Sequence, residues 1–326
     1  MRRGRHHTAT AKGTAVVTGG AGFVGSHLVD ALAASGPVIS IDRRTGRDHR
    51  PKSDNTTTVV ADLTDQSQPS SSTITAAIAG ADVVYHLAAR HGVEASWNPN
   101  ADGVFCDNVQ SAHRVLDAAL DSRVRRVVLV SCASVYGDTA VPDGPRAIRP
   151  TSPYGVSRAA TEALADAYRR RGLDVAVLRL FTVYGPRQRP DMALHRLLVA
   201  ARPDGAPFVT RTGGAQRCDL VHVDDAVAAI RAAAEHPAPL LEPLDIGSGC
   251  TASIVTVARL VSEIAGRPPR VSRKPPVPGD PSETVADAAA ARATLGWQPL
   301  VDLRRGIETQ FHDLVERAEV GEHSGK

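Results

Sequence analysis

The sequence predicts an α/β fold, a doubly wound parallel sheet joined to a smaller α/β C-terminal domain. Three observations carry that prediction. Short apolar runs alternate with helical stretches from Thr14 to Leu180, the rhythm of βαβ units. The first run, Thr14 to Thr18, shows no polar alternation, as expected of a strand covered on both faces. It leads straight into Gly19, Gly22 and Gly25, and a helical pattern follows.

Each element has its own reason. Gly19 permits a turn tighter than a Cβ allows, Gly22 lets a pyrophosphate approach the backbone, and Gly25 lets the next helix pack closely. That helix, Phe23 to Ser35, points its free N–H groups, those of Phe23 and Val24 included, at the phosphates. A second strand, Pro37 to Ile41, ends in Asp42, about 20 residues on, where a carboxylate binds adenosine ribose hydroxyls. This is a Rossmann dinucleotide site, and Asp42 favours NAD because a 2′-phosphate would meet a like charge. Arg43 and Arg44 follow directly and offer such a phosphate a cation. Further strands are expected at Thr57 to Ala61, Asp82 to Leu87, Arg126 to Val130 and Val175 to Leu180. Between them, Asp65 to Thr73 reads as a polar surface loop and Gly103 to Asp121 as a helix. A Pro/Gly-rich loop, Val141 to Pro153, precedes a helix over Tyr154 to Arg171. The rhythm breaks after Pro186, returns to the sheet around Leu220 to Ala234 and Leu244 to Gly247, and closes with helices at Ser253 to Ala265 and Leu303 to Glu316.

Composition narrows the function. Aromatic residues make up only 4% of the 326, and the formal charge of +3 is spread among interspersed acids and bases, which argues against a nucleic-acid surface. No uncharged apolar run is long enough to span a bilayer. The basic segment 1–12 has no apolar centre and reads as a disordered tail rather than a leader. Cys106, Cys132, Cys218 and Cys250 lie far apart, which points to reduced thiols in a cytoplasmic protein and to no metal site.

The chemistry concentrates at the carboxyl ends of the strands, where such sheets bind ligands. Tyr154 and Arg158 stand four residues apart at a helix start and therefore share a face. A tyrosine beside a fixed cation and a positive nicotinamide loses its proton nearer neutral pH, and can then take the proton of a sugar hydroxyl. Thr182 offers a compact hydroxyl, and Arg187 and Arg189 offer cations for a diphosphate or a carboxylate.

With those motifs in view, the chain resembles an extended short-chain dehydrogenase/reductase of the NAD-dependent nucleotide-sugar epimerase/dehydratase family. GGAGFVG, Asp62-Leu63, HLAA, SVYGD, SPYGVSR, LRLFTVYGP, VHVDD and LGWQP carry the likeness over nearly the whole chain. The resemblance implies that Asp62 and Leu63 flank the adenine and that Leu87, Ala88 and Ala89 line the pyrophosphate and ribose. It implies Tyr154 as base, the residue at 158 on the nicotinamide ribose, and a homodimer formed through the helices that start near Gly103 and Tyr154. Residues 13–184 and 216–249 would bind NAD, and 185–215 with 250–326 would bind the nucleotide sugar. Phe181 to Pro186, followed by Arg189 to Ala193 with Met192, is similar to UDP-glucuronate 4-epimerases. The implied reaction is therefore 4-epimerisation of a UDP-sugar, UDP-glucuronate to UDP-galacturonate, through a 4-keto sugar.

Four positions depart from the family pattern. Arg158 replaces the usual lysine, keeping the charge in a different fork geometry. Cys132 stands where a hydroxyl is usual, and Ser134 or Ser131 is left to supply one. Cys218 takes the place of an arginine. Arg217 lies one residue earlier, facing the other way on an extended strand unless bulged, which leaves Arg187, Arg211 or Arg217 for the diphosphate. Glu94 stands where uronate epimerases carry a base. Two other readings remain: an NAD-dependent UDP-sugar dehydratase or UDP-glucuronate decarboxylase, and a non-catalytic NAD sensor. Ala133 and Ser134, in place of the Asp-Glu pair of dehydratases, argue against the dehydratase. Tyr154 and Arg158 argue against the sensor.

Overall fold

A computed structural model describes residues 13–44, 53–98, 103–137, 147–211, 213–275 and 281–323. The expected tail over 1–12 and residues 141–146 of the expected loop lie outside the described residues.

The chain begins with β1 (Thr14–Thr18), α1 (Phe23–Ala33), β2 (Val38–Asp42), β3 (Thr56–Val60), α2 (Gln68–Ile78) and β4 (Ala81–His86). A 3₁₀ turn (Glu94–Trp97) leads to α3 (Gly103–Phe105), a π-helical turn (Cys106–Gln110) and α4 (Ser111–Asp121). Then come β5 (Arg126–Cys132), α5 (Pro153–Arg170), β6 (Val175–Leu180) and β7 (Thr182–Tyr184). The remainder holds α6 (Ala193–Ala200), β8 (Phe208–Thr210), β9 (Arg217–His222), α7 (Val223–Glu235) and β10 (Leu244–Ile246). It ends with β11 (Thr251–Ser253), α8 (Ile254–Ala265), β12 (Val271–Arg273), β13 (Glu283–Thr284), α9 (Ala288–Leu295) and α10 (Leu303–His323).

Seven parallel strands form the main sheet in the order β10-β6-β5-β4-β1-β2-β3. The order reverses at β1, whose neighbours are β2 and β4, so the crevice between them opens at the carboxyl ends of these strands. Thr18 pairs with Ile41 on one side and His86 on the other, which brings the three strand ends level.

Successive residues of β1 serve opposite cores. Val17 joins Leu28 of α1 and Ile230 of α7, whereas Val16 joins Leu116 of α4 and Ala165 of α5. Both valines are fully buried, which is why this strand carries no polar alternation. A separate apolar cluster, around Leu197, Leu198, Val261 and Ile307, holds α6, α8 and α10 together.

Three expectations change. Residues 65–73 are not all loop: α2 starts at Gln68 and takes Pro69 in its first turn, where a helical N–H has no partner to lose, and Ile74 and Ile78 anchor that helix. The strand at Leu220 does not return to the main sheet. β9 pairs with β7, β11 and β13 instead, and only β10 rejoins β6. The helix over 103–121 is interrupted by its π turn, which swings Asp107 and Asn108 inward.

Candidate active site

The strand ends at the crossover form a cleft of about 360 Å³. At one end lies the glycine turn. Gly19 has φ +74°, and a Cβ there would come within 2.8 Å of the Ala88 backbone. A Cβ on Gly25 would collide with the Gly19 carbonyl, so helix and turn interlock only through glycine. Asp42 ties this turn to β2, accepting from the Ala21 N–H at 3.1 Å and the Arg44 N–H at 3.1 Å. Gly19, Gly22, Phe23, Val24, Gly25, Asp42, Arg43, Asp62 and Leu63 line this end, and Leu87, Ala88 and Ala89 line the wall toward the other.

The other end is organised by the start of α5. Ser152 caps that helix, its hydroxyl accepting from the Gly155 N–H at 3.1 Å, and Pro153 sets the first turn. This capping turn puts Tyr154 and Arg158 on the face toward the cleft. Arg158 donates from Nη2 to the Val130 carbonyl, while its buried Nη1 has no partner among the described residues. Cys132, the last residue of β5, sits against the Tyr154 phenol. Burial first, then Cys132, push that phenol above its ordinary range, and the cations of Arg158 and Arg189 pull it back.

His91 was not singled out from the sequence, yet its Nδ1 lies 3.5 Å from the Tyr154 hydroxyl. Its side chain is open to the cleft; the loss of hydration among the surrounding atoms, then Arg189 and Arg158, lower its imidazole pKa to about 3, so it stands neutral beside the phenol. Its position just past the HLAA turn, at the carboxyl end of β4, was the available signal. Ser131 also lines the cleft, but its hydroxyl donates to Glu162 at 2.5 Å, within a buried network of Glu162, Arg179, Tyr136 and Asp245.

Among the expected sugar-side residues, Thr182, Arg189 and Met192 line the cleft. Arg189 is held by Asp191 through two contacts of 2.9 and 2.8 Å. Three others do not line it. Ser134 falls in the short 3₁₀ turn after β5, where the chain has already rotated past the strand face that presents Cys132. Arg187 points at α1, with Nη1 3.1 Å from Asp30 and Nε 3.1 Å from His27. Arg217 lies on the far side of β9, paired with Glu283 at 3.0 Å, while Cys218 turns toward Thr182. Glu94 faces Arg211 at 2.7 Å.

The residues present fit NAD. The turn at Gly19 and Gly22 leaves backbone where side chains would block a pyrophosphate. Asp42 stands at the ribose position, and Arg158 keeps a donor to spare at the nicotinamide end.

Comparison with known proteins agrees with this geometry. The chain is 32% identical to the uncharacterized UDP-glucose epimerase YtcB of Bacillus subtilis, over 91% of this chain and 96% of that one. Its structure is similar to that of UDP-glucuronic acid 4-epimerase from Bacillus cereus in complex with UDP-glucuronic acid and NAD, with a TM-score of 0.86 and 29% identity. That match covers 93% of this chain and 99% of the other. MoeE5 in complex with UDP-glucuronic acid and NAD matches with a TM-score of 0.86 and 35% identity, over 94% and 100% of the two chains. The description of the NAD dependent epimerase/dehydratase family matches residues 15–247. On sequence, fold and cofactor cleft together, the chain belongs to the NAD dependent epimerase/dehydratase family.

Proposed function

We propose that this chain is a UDP-sugar 4-epimerase whose preferred pair is UDP-glucuronate and UDP-galacturonate. The observation that carries this reading is the convergence of Tyr154, Cys132, His91 and Arg189 at the end of the cleft away from the glycine turn. When bound, NAD supplies the hydride acceptor and a positive charge close to the phenol. Tyr154 takes the proton of the sugar 4-hydroxyl, and Arg158 and Arg189 favour the phenolate that does so. After the 4-keto sugar has turned over, the hydride removed earlier would be restored to C4 on its opposite face while Tyr154 returns a proton to the 4-oxygen. Cys132 and neutral His91 hold the phenol in place.

Arg189 supports the uronate, being, after Arg158, the cation lining the cleft that acts on the Tyr154 phenol. The B. cereus relative binds UDP-glucuronic acid, and MoeE5 has been crystallised with both UDP-glucuronic acid and UDP-glucose. We assign the sugar and diphosphate to residues 185–215 and 250–326, whose strands β11 and β13 pair with β9 in the smaller sheet.

We take the working unit to be a homodimer. Phe105 on α3 and Val156 on α5 are both 43% exposed on adjoining elements, an apolar face suited to a second copy. Among the described residues no helix is long and apolar enough to cross a membrane, and the four cysteines are unbonded, which supports a cytoplasmic setting.

The test is incubation of purified protein, without added NAD, with UDP-glucuronate and separately with UDP-glucose. Products are separated by anion exchange and identified by proton NMR. Conversion to the matching 4-epimer, faster for the uronate, is expected. A 4-keto, unsaturated or pentose product would overturn the epimerase reading.

A further inference from the structure

The adenosine end of the cleft carries a charge arrangement that NAD binding alone does not require. Arg43 follows Asp42, a place from which a cation reaches a ribose 2′-phosphate. Its guanidinium is bound to Asp107 instead, Nη1 at 3.2 Å from Oδ1 and Nη2 at 3.1 Å from Oδ2. Arg90 donates from Nε to the same Oδ2 at 2.7 Å. Asp107 is 8% exposed and lines the cleft together with Arg43.

The backbone holds this carboxylate in place. Asp107 lies in the π-helical turn, and its carbonyl accepts from the Ser111 hydroxyl at 2.6 Å. The next residue, Asn108, accepts from the Arg90 N–H at 2.7 Å and donates to the Arg90 carbonyl at 3.1 Å. Arg90 is thereby fixed by its backbone and its guanidinium together. Asp62 and Asp42 add to the negative field around Arg43.

We propose that Asp107 sets the cofactor selectivity of this chain, engaging both terminal nitrogens of Arg43 so that the adenosine end rejects the 2′-phosphate of NADP. A phosphate entering there meets Asp42, Asp62 and Asp107, with Arg44 as a further cation lining this end. Recruiting Arg43 to it would leave the buried Asp107 carboxylate with half-exposed Arg90 as its remaining cation, and stripping a partner from a buried carboxylate is costly. The proposal rests on NAD as the cofactor, and its test reads binding rather than turnover.

Purified protein is equilibrated with equal NAD and NADP until the bound ratio is constant, freed of unbound nucleotide and extracted, and the two cofactors are quantified. The native chain is expected to retain NAD. Asp107→Asn is expected to shift the bound ratio toward NADP by about tenfold, the scale of one charge-assisted contact to phosphate. Adding Arg43→Ala to that variant is expected to abolish the shift. An unchanged ratio in Asp107→Asn, or a shift that survives the double substitution, would overturn the proposal. Should Asp107→Asn fail to fold, Arg43→Ala alone decides: an unchanged low NADP share supports the proposal, and a further fall shows that Arg43 already grips the phosphate and overturns it. Neither nucleotide bound to the native chain would overturn the cofactor assignment, and the proposal with it.

Discussion

Tyr154 is placed by a cap two residues before it and tuned by neighbours far away in sequence. Ser152 and Pro153 orient the first turn of α5, while Cys132, His91 and Arg189 arrive from β5, the loop after β4 and the loop before α6. Replacing Tyr154 by Phe removes the proposed proton acceptor and keeps the ring. The expected result is a loss of about 10³-fold in kcat, within the usual range for a general acid–base group, with NAD still bound. Retained turnover, measured by the same NMR assay, would show that another group is the base. Cys132 adjoins the phenol, and the 3₁₀ turn that follows β5 carries Ser134 out of the cleft.

Among the secondary elements, the contact between α1 and the loop before α6 makes stability depend on pH. His27 of α1 is packed against Arg187, whose left-handed backbone (φ +63°) turns the loop toward Asp30 and Asp313. Burial, then Arg187, lower the His27 pKa to about 4. Because that folded value lies below the unfolded one near 6.5, the unfolded chain binds the extra proton between the two. Stability is therefore fully present above about 6.5 and is lost as pH falls toward about 4. The expected loss between pH 7 and pH 5 is on the order of 1–2 kcal/mol from this group. Urea titrations at both pH values check it, and His27→Gln should shrink the difference by about that amount, leaving the share of the other histidines with lowered pKa values, such as His86 and His91. An equal pH dependence in the variant would assign the effect elsewhere.

For the molecule as a whole, the main sheet presents one reactive edge, and the helices at its flank present an apolar face. Val156 projects from α5 just two residues past Tyr154, so the proposed subunit contact and the proposed base share a helix. Val156→Asp places a charge at the centre of the expected subunit contact, where it lacks a partner. The expected outcome is a monomer by light scattering after gel filtration, with the α/β circular dichroism intact. A dimer that survives the substitution would move the contact to another face.

The sequence by itself determined the local devices. The strand–glycine–helix order, Asp42 at the end of β2 and the Tyr154–Arg158 spacing were legible because each depends on residues at most a few turns apart or on a fixed βαβ length. α2 was not legible, because its polar composition hides a helix that Ile74 and Ile78 hold by burial against the sheet. Only the tertiary structure decided which cations face the cleft. Arg187, Arg189 and Arg217 are the same residue type in similar loops and strands. The first is drawn to Asp30, the last to Glu283, and Arg189 alone of the three lines the cleft. Those partners lie 157 and 66 residues away, and Asp107 lies 64 residues from Arg43. Charge pairing over such distances follows from how the chain packs, and local spacing carries no trace of it.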